Sequence, residues 1–264
     1  MIDSNYHSHH MLCNHAVGTT EDYVKKAIEL GFKVLGISDH VPSETVPDSM
    51  RMPYTSLNAY YADVLDVQKR YQSLIDVYLG MECEYVESDA AYYQGFLDTV
   101  DYLVLGHHYI QHNGTLQSSF NLSKPEHVLT YAKEVKDAIA SGYFSLLAHP
   151  DLYMCGYDTF DEACEKAAHL ICQTAEMYQL PIEFNANGIR RGIKQTSQGN
   201  RYPYPREEFW QIAKQYKMPI ILSSDAHHPN TLYDDAMKKA EAMIQLLGLK
   251  TIHRLPIKNA KNRL

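Results

Sequence analysis

Apolar positions along the chain fall into two alternating rhythms. The first has helical spacing, as in TTEDYVKKAIELG, Thr19 to Gly31: Thr19 or Thr20 can cap, Glu21 and Asp22 suit the first turn, and Gly31 ends the pattern. A run apolar on both faces follows at once, FKVLGISDH, Phe32 to His40. The same order recurs with SLNAYYADVLDVQKRYQ before DVYLGMECEY, SDAAYYQGFLDTV before DYLVLGHHYI, and PEHVLTYAKEVKDAIASG before YFSLLAHPD. It closes with DEACEKAAHLICQTAEMYQ before LPIEFNANG and PREEFWQIAKQY before MPIILSSDAHH. With an N-terminal strand running through His9, the pattern predicts about seven strands separated by helices. Such alternation predicts a parallel sheet, and strands apolar on both faces suit an α/β barrel or a helix-covered sheet.

Polar residues able to bind metal interrupt these runs at one end only. His7 and His9 fall late in the first strand, His40 ends the second, and Glu82 lies in the third. His108 lies in the fourth, His149 ends the fifth, and Asp225 with His227 end the last. C-terminal ends of parallel barrel strands meet on one rim, so residues far apart in sequence are predicted to share a metal site there. Strand parity sharpens the set. His7 and His9 share a face and His10 points away; Glu82 and Glu84 share a face; Asp225 and His227 share one that excludes His228. His107 and His108 point oppositely, and strand phase does not choose between them. A carboxylate at Glu82 can bridge two cations, one oxygen for each. His15 lies in a loop and stays open, while His112, His127, His169 and His253 read as solvated or packed.

Composition narrows the classes. The 264 residues show no linker-like segment or internal repeat, so one domain over 1–264 is expected. A formal charge of -8 argues against broad nucleic-acid or membrane-surface binding but leaves room for a local anion pocket. No signal-peptide pattern precedes Tyr6, and no apolar run approaches the roughly 20 residues of a membrane span. The five cysteines, Cys13, Cys83, Cys155, Cys164 and Cys172, lack zinc-type spacing and read as packed thiols, which predicts a reducing, cytoplasmic setting.

HSH at His7 to His9, His15, SDH ending at His40, GME at Gly80 to Glu82, the GHH segment, AHPD at Ala148 to Asp151 and SDAH at Ser224 to His227 form one pattern. With it, the chain resembles the PHP (polymerase and histidinol phosphatase) family of phosphoesterases from the N terminus to the last strand. EFNANGIRRG, Glu183 to Gly192, and YPYP, Tyr202 to Pro205, resemble the family's histidinol-phosphatase branch. The resemblance implies a distorted (β/α)7 TIM-like barrel and a trinuclear centre. One metal would take His7, His9, Glu82 and Asp225; a second would share Glu82 and add His108 and His149; a third would take His15, His40 and His227. It is the resemblance that adds His15 and selects His108. His107 departs from the family pattern, in which a non-ligating residue follows a Gly-Ser pair. Mixed imidazole and carboxylate ligands suit Zn, Mn or Fe without choosing among them.

The implied reaction is hydrolysis of L-histidinol phosphate to L-histidinol and inorganic phosphate in histidine biosynthesis. Metal-delivered hydroxide would attack phosphorus at a centre built on Glu82 and Asp225, with Arg190, and more weakly Arg191, holding the phosphoryl oxygens. The alternatives are a PHP phosphoesterase acting on a nucleotide or phosphotyrosine, or a metal-binding domain without catalysis. The expected partner is thus a small phosphorylated substrate, with no nucleic acid and no membrane.

Overall fold

The computed structural model describes residues 2–46, 49–85 and 90–257. Among these, eight strands form one parallel sheet: β1 (Ser4–Asn5), β2 (Val34–Ile37), β3 (Asp76–Cys83), β4 (Tyr102–Leu105), β7 (Leu146–Leu147), β8 (Ile182–Asn185), β11 (Ile220–Ser223) and β12 (Thr251–Ile252), adjacent in that order. Two antiparallel hairpins lie outside it, β5 (Tyr109–His112) with β6 (Thr115–Ser118), and β9 (Lys194–Thr196) with β10 (Gly199–Arg201). The helices are α1 (Thr20–Glu29), α2 (Leu57–Tyr71), α3 (Ala90–Leu97), α4 (Pro125–Ser141), α5 (Glu162–Tyr178), α6 (Asn187–Arg190), α7 (Glu207–Ala213) and α8 (Asp235–Leu247). No helix among the described residues is long and apolar enough to cross a membrane.

Helix ends follow local chemistry. Thr19 and Asp22 form a reciprocal capping box on α1, Asp161 and Asp234 cap α5 and α8, and Gly142 (φ 75°) and Gly248 (φ 66°) end α4 and α8 in the left-handed conformation that glycine adopts without steric cost.

The curled sheet closes at its C-terminal end, where Ser8 bridges Ala226: His9 N–H donates to the Ala226 carbonyl at 2.8 Å and Ala226 N–H to the His7 carbonyl at 3.3 Å. At the other end β12 runs beside β11, and Ser4 Oγ donates to the His253 carbonyl at 2.5 Å, so a short eighth strand wedges the first and last strands apart. The predicted seven-strand barrel is thus present in distorted form, with a two-residue strand added.

Two apolar layers result. Helices cover the outside of the sheet through one large cluster, while Tyr6, Val34, Tyr102, Val104, Leu146, Ala148, Ile221 and Leu255 fill the interior. Tyr102 plugs this inner core and donates its hydroxyl to the Tyr6 carbonyl at 2.6 Å. Its ring requires glycine on two neighbouring strands, since a Cβ on Gly36 would lie 2.0 Å from the Tyr102 hydroxyl and one on Gly80 2.3 Å from its ring.

Departures from the predicted elements sit near the rim. The run expected as DYLVLGHHYI stops at Leu105 and resumes as a separate hairpin strand at Tyr109. A Cβ on the intervening Gly106 would lie 2.2 Å from Glu82 Oε1, so the chain passes here with no side chain of its own. The helix expected from Ser88 is seen from Ala90, residues 88 and 89 lying outside those described.

Candidate metal centre

Glu82, on β3, is the hub. Its Oε2 lies 3.3 Å from His7 Nε2, 3.4 Å from His9 Nε2 and 3.1 Å from His40 Nδ1. Its Oε1 faces His149 Nε2 at 3.2 Å and His108 Nε2 at 3.5 Å. Asp225 Oδ1 faces His9 Nε2 at 3.3 Å, His7 Nε2 at 3.5 Å and His227 Nδ1 at 3.5 Å. The residues expected to converge from distant strand ends are therefore side by side, and the two oxygens of Glu82 divide them into two groups. His40 stands between groups: its Nδ1 points to Glu82 while its ring lies 4.6 Å from that of His9.

Backbone conformation helps to aim two of these side chains. His149 and Asp225 have φ of 29° and 48°, left-handed values that cost a non-glycine residue roughly 1–3 kcal/mol. Both occur where a strand ends at the rim, and both turn the chain so that the side chain faces the cluster.

Outward partners fix the imidazole tautomers. His15 Nδ1 meets the Cys13 carbonyl and His227 Nδ1 the Asp225 carbonyl at 3.0 Å; a carbonyl only accepts, so both Nδ1 atoms carry the proton. His7 Nδ1 donates to Glu183 at 2.9 Å and His108 Nδ1 to Glu84 at 2.7 Å. In the neutral form of each ring this leaves the Nε2 lone pair facing inward. His15 Nε2 and His227 Nε2 approach to 2.8 Å, a contact that two lone pairs tolerate only with a proton or a cation between them.

Nε2 of His7 and His9, Nδ1 of His40 and His149, and Oδ1 of Asp225 are buried with no hydrogen-bond partner among the described residues. Buried polar atoms left so cost on the order of 1–3 kcal/mol each, and divalent cations ligated by the four that face the cluster, all but His149 Nδ1, would remove that cost. The donors are borderline imidazole nitrogens and hard carboxylate oxygens, which fits Zn, Mn or Fe.

Electrostatics agree. Burial pushes the Glu82 and Asp225 carboxyls up, but the surrounding histidines, His7 first, hold both well below the usual carboxylate range. Burial, with His9 and His15 nearby, drives His227 down to about 3, and burial also keeps His40 well below its ordinary value. Both rings are thus neutral and competent as ligands. His7 moves the other way: burial opposes its charge, yet Glu183, Asp225 and Glu82 together raise it well above normal. Three carboxylates around one ring mark the place where positive charge is most strongly favoured.

Other sequence expectations resolve as follows. His107 turns outward to Glu134 at 3.0 Å, and His228 caps a short turn by accepting the Asn230 N–H. His10 is buried against Asp39, its Nδ1 2.5 Å from the carboxylate.

Arg190 needs correction. Its guanidinium is committed to Asp234 at 2.8 and 3.0 Å and to the carbonyls of Thr231, at 2.7 Å, and Ser224, and it does not line the cavity. Four of its five N–H donors are thereby engaged, which holds the guanidinium to the loop rather than to the cavity. Arg191 lines the cavity instead, with its guanidinium over the Phe120 ring at 4.7 Å and its Nε donating to Tyr204 Oη at 3.2 Å.

Parity along β8 could have revealed what was missed. Glu183 and Asn185, two apart, face the site. Glu183 holds His7 and accepts the His149 N–H at 3.1 Å, while Asn185 donates to Glu183 at 2.6 Å and to Asp225 at 3.2 Å. Glu84 also pairs with Arg51 at 2.6 Å, and Asn187 donates to Asp225 at 3.2 Å.

A cavity of about 280 Å³ opens over the cluster, lined by His15, His40, His108, His149 and His227 on its floor and by Arg51, Tyr109, Ser118, Phe120, Asn187, Arg191 and Tyr204 around it. Residues able to hold cations beneath such a cavity, with arginines beside it, suit an anionic group on a small molecule.

The chain is 27% identical over 251 residues to a Deinococcus radiodurans protein named "Probable histidinol-phosphatase", covering 88% of this chain and 90% of that one. It is 26% identical to the Bacillus subtilis histidinol-phosphatase over 257 residues, covering 84% and 92%. Its fold matches a crystal structure of the Lactococcus lactis histidinol phosphate phosphatase, complexed with Zn, L-histidinol and phosphate, with a TM-score of 0.69 at 14% identity, covering 95% of each chain. Residues 5–250 match the PHP domain family model, and the chain belongs to the PHP family.

Proposed function

We propose that this protein is a histidinol-phosphatase, a metal-dependent hydrolase that converts L-histidinol phosphate to L-histidinol and inorganic phosphate. The observation that carries the reading is the gathering of inward-facing imidazole nitrogens around Glu82 and Asp225 beneath a small cavity. The named relatives, aligned along most of both chains, supply the substrate.

Three cations would fit this centre: His7, His9, Glu82 and Asp225 would hold one, Glu82, His108 and His149 a second, and His15, His40 and His227 a third. Bound there, divalent cations supply Lewis acidity and hydroxide at neutral pH, the two requirements of phosphomonoester hydrolysis. The protein's own part is positioning. Glu183 and Glu84 orient His7 and His108 from behind, and Asn185 and Asn187 hold Asp225. Arg191, rather than Arg190, takes the phosphoryl oxygens; its stacking on Phe120 and its bond to Tyr204 fix the guanidinium plane before substrate arrives. Tyr109, Phe120 and Tyr204 offer ring faces for the imidazole end.

Purified protein loaded with Zn or Mn and given histidinol phosphate, phosphotyrosine and nucleoside monophosphates in parallel tests the reading. Phosphate release should favour histidinol phosphate by kcat/KM. A higher value for either competitor rejects the substrate, and no release from any of them rejects the activity.

A further inference from the structure

His9 differs from the other rings of the cluster in what stands behind it. His7 and His108 lean on carboxylates, and His15 and His227 on backbone carbonyls. Behind His9 Nδ1 stands a sulfur, Cys13 Sγ at 3.4 Å. Cys13 ends the short 3-10 turn Met11–Cys13 and is fully buried. Its sulfur also receives the His40 backbone N–H at 3.1 Å, and the Asp39 carboxylate lies within 4.8 Å of it.

A sulfur that accepts from the His40 N–H can accept from His9 Nδ1–H as well, and in that arrangement the ring's proton sits on Nδ1. The lone pair is then on Nε2, the atom facing Asp225 at 3.3 Å and Glu82 at 3.4 Å. Because the same sulfur holds the start of His40, it ties the end of the first strand to the end of the second. A neutral sulfur does this without adding a carboxylate to the negative charge already set by Glu82 and Asp225.

We propose that Cys13 is a positioning residue of the metal centre: its sulfur, accepting from His9 Nδ1–H and from the His40 N–H, fixes the tautomer and pitch of His9 and anchors His40 beside it. The inference rests on the reading of His9 and His40 as metal ligands. Partners of this kind typically change metal affinity about 10–100-fold when lost.

The test uses the full chain, stripped of metal and titrated with Co2+, whose visible d–d spectrum reports ligand geometry. Cys13→Ala should bind Co2+ about 10–100-fold more weakly with an altered d–d envelope. Cys13→Ser, which keeps an acceptor, should recover most of the affinity and the spectrum. Wild-type affinity and spectrum in Cys13→Ala, with binding weakened in His9→Ala, would overturn the role of Cys13 while leaving the ligand assignment in place. Unchanged binding in both His9→Ala and His40→Ala would overturn the ligand reading itself. A cobalt–thiolate charge-transfer band in wild type, absent from Cys13→Ser, would overturn the proposal by making Cys13 a ligand. Should Cys13→Ala not fold, long-range proton–nitrogen spectra of histidine-labelled, Zn-loaded wild type decide the matter: a proton on His9 Nδ1 supports the proposal, and one on Nε2 overturns it.

Discussion

The two halves of the barrel interior are built on the same strands and obey opposite physics. Toward the N-terminal strand ends, Tyr6, Val34, Tyr102, Val104, Leu146 and Ile221 pack tightly, and the Tyr102 hydroxyl plugging them donates to the Tyr6 carbonyl. Toward the C-terminal ends, a few residues further along these strands, His7, His9, Glu82, His149 and Asp225 are as deeply buried, yet five of the cluster's polar atoms lack hydrogen-bond partners among the described residues. The lower half stabilises the fold by removing apolar surface from water. The upper half draws on that stability to hold desolvated lone pairs and two left-handed strand ends in place. Activity and stability should therefore respond to different substitutions.

The largest effect is expected at the hub. Glu82→Gln removes the charge that faces five imidazoles and should lower kcat/KM by roughly 10³-fold or more, the scale of losing several kcal/mol of metal-supplied charge stabilisation. Metal analysis should show substoichiometric loading, while far-UV circular dichroism stays that of wild type. Full activity in this variant would erase the contrast between the halves.

Tyr102→Ala attacks the other half. It opens a cavity in the inner core and should cost about 3–5 kcal/mol in urea unfolding, the usual scale for truncating a buried aromatic. The folded fraction should still bind its full metal complement, and metal loss in parallel with stability would show that the halves are not separable.

A smaller and more discriminating effect separates two neighbouring arginines. Arg191→Ala should raise KM about 10–100-fold, on the scale of one charge-assisted contact, with little change in thermal midpoint. Arg190→Ala should instead lower the midpoint through loss of its bonds to Asp234 and Thr231, with KM for substrate nearly unchanged. Steady-state kinetics and thermal melts on both variants would sharpen the boundary of the upper half, and the reverse pattern would restore Arg190 as the phosphate contact.

The least effect is expected outside the barrel. Arg70, with Tyr71 and Lys25, pulls the exposed Glu21 carboxyl from 4.5 down to about 2. A depressed carboxylate stabilises the fold above its unfolded value and loses that contribution as pH falls through the folded one, so the window lies between about 4.5 and 2. Arg70→Ala should therefore lower the neutral-pH midpoint only slightly, since exposed pairs are screened by solvent, with the difference from wild type fading as pH falls from about 4.5 to 2 and kcat/KM unchanged within error.

Much of this arrangement was legible in one dimension because both underlying signals are local. The 3.6-residue and two-residue rhythms predicted the helix and strand order, and rim chemistry showed as polar residues ending apolar runs, as at His40, His149 and Asp225. Parity set His9 apart from His10 and His227 apart from His228, and in the fold His10 pairs with Asp39 while His228 caps a turn. It was not carried to Glu183 and Asn185, where the same alternation operates. Arg190 and Arg191 could not be told apart by motif, because adjacent residues in a short helix diverge by about 100° and only their surroundings decide which meets the cavity.

By itself, then, the sequence determined the order of elements, the end of the strands at which chemistry collects, and the residue types able to ligate. Those follow from backbone periodicity and from the cost of burying polar groups. Tertiary structure alone decided which oxygen of Glu82 faces which ring, which nitrogen of His15 and of His227 keeps its proton, that a sulfur stands behind His9, and that Arg191 rather than Arg190 borders the cavity. Each of these depends on contacts between residues distant in sequence, and a hydrogen bond or a desolvated lone pair exists only once folding has brought its two sides together.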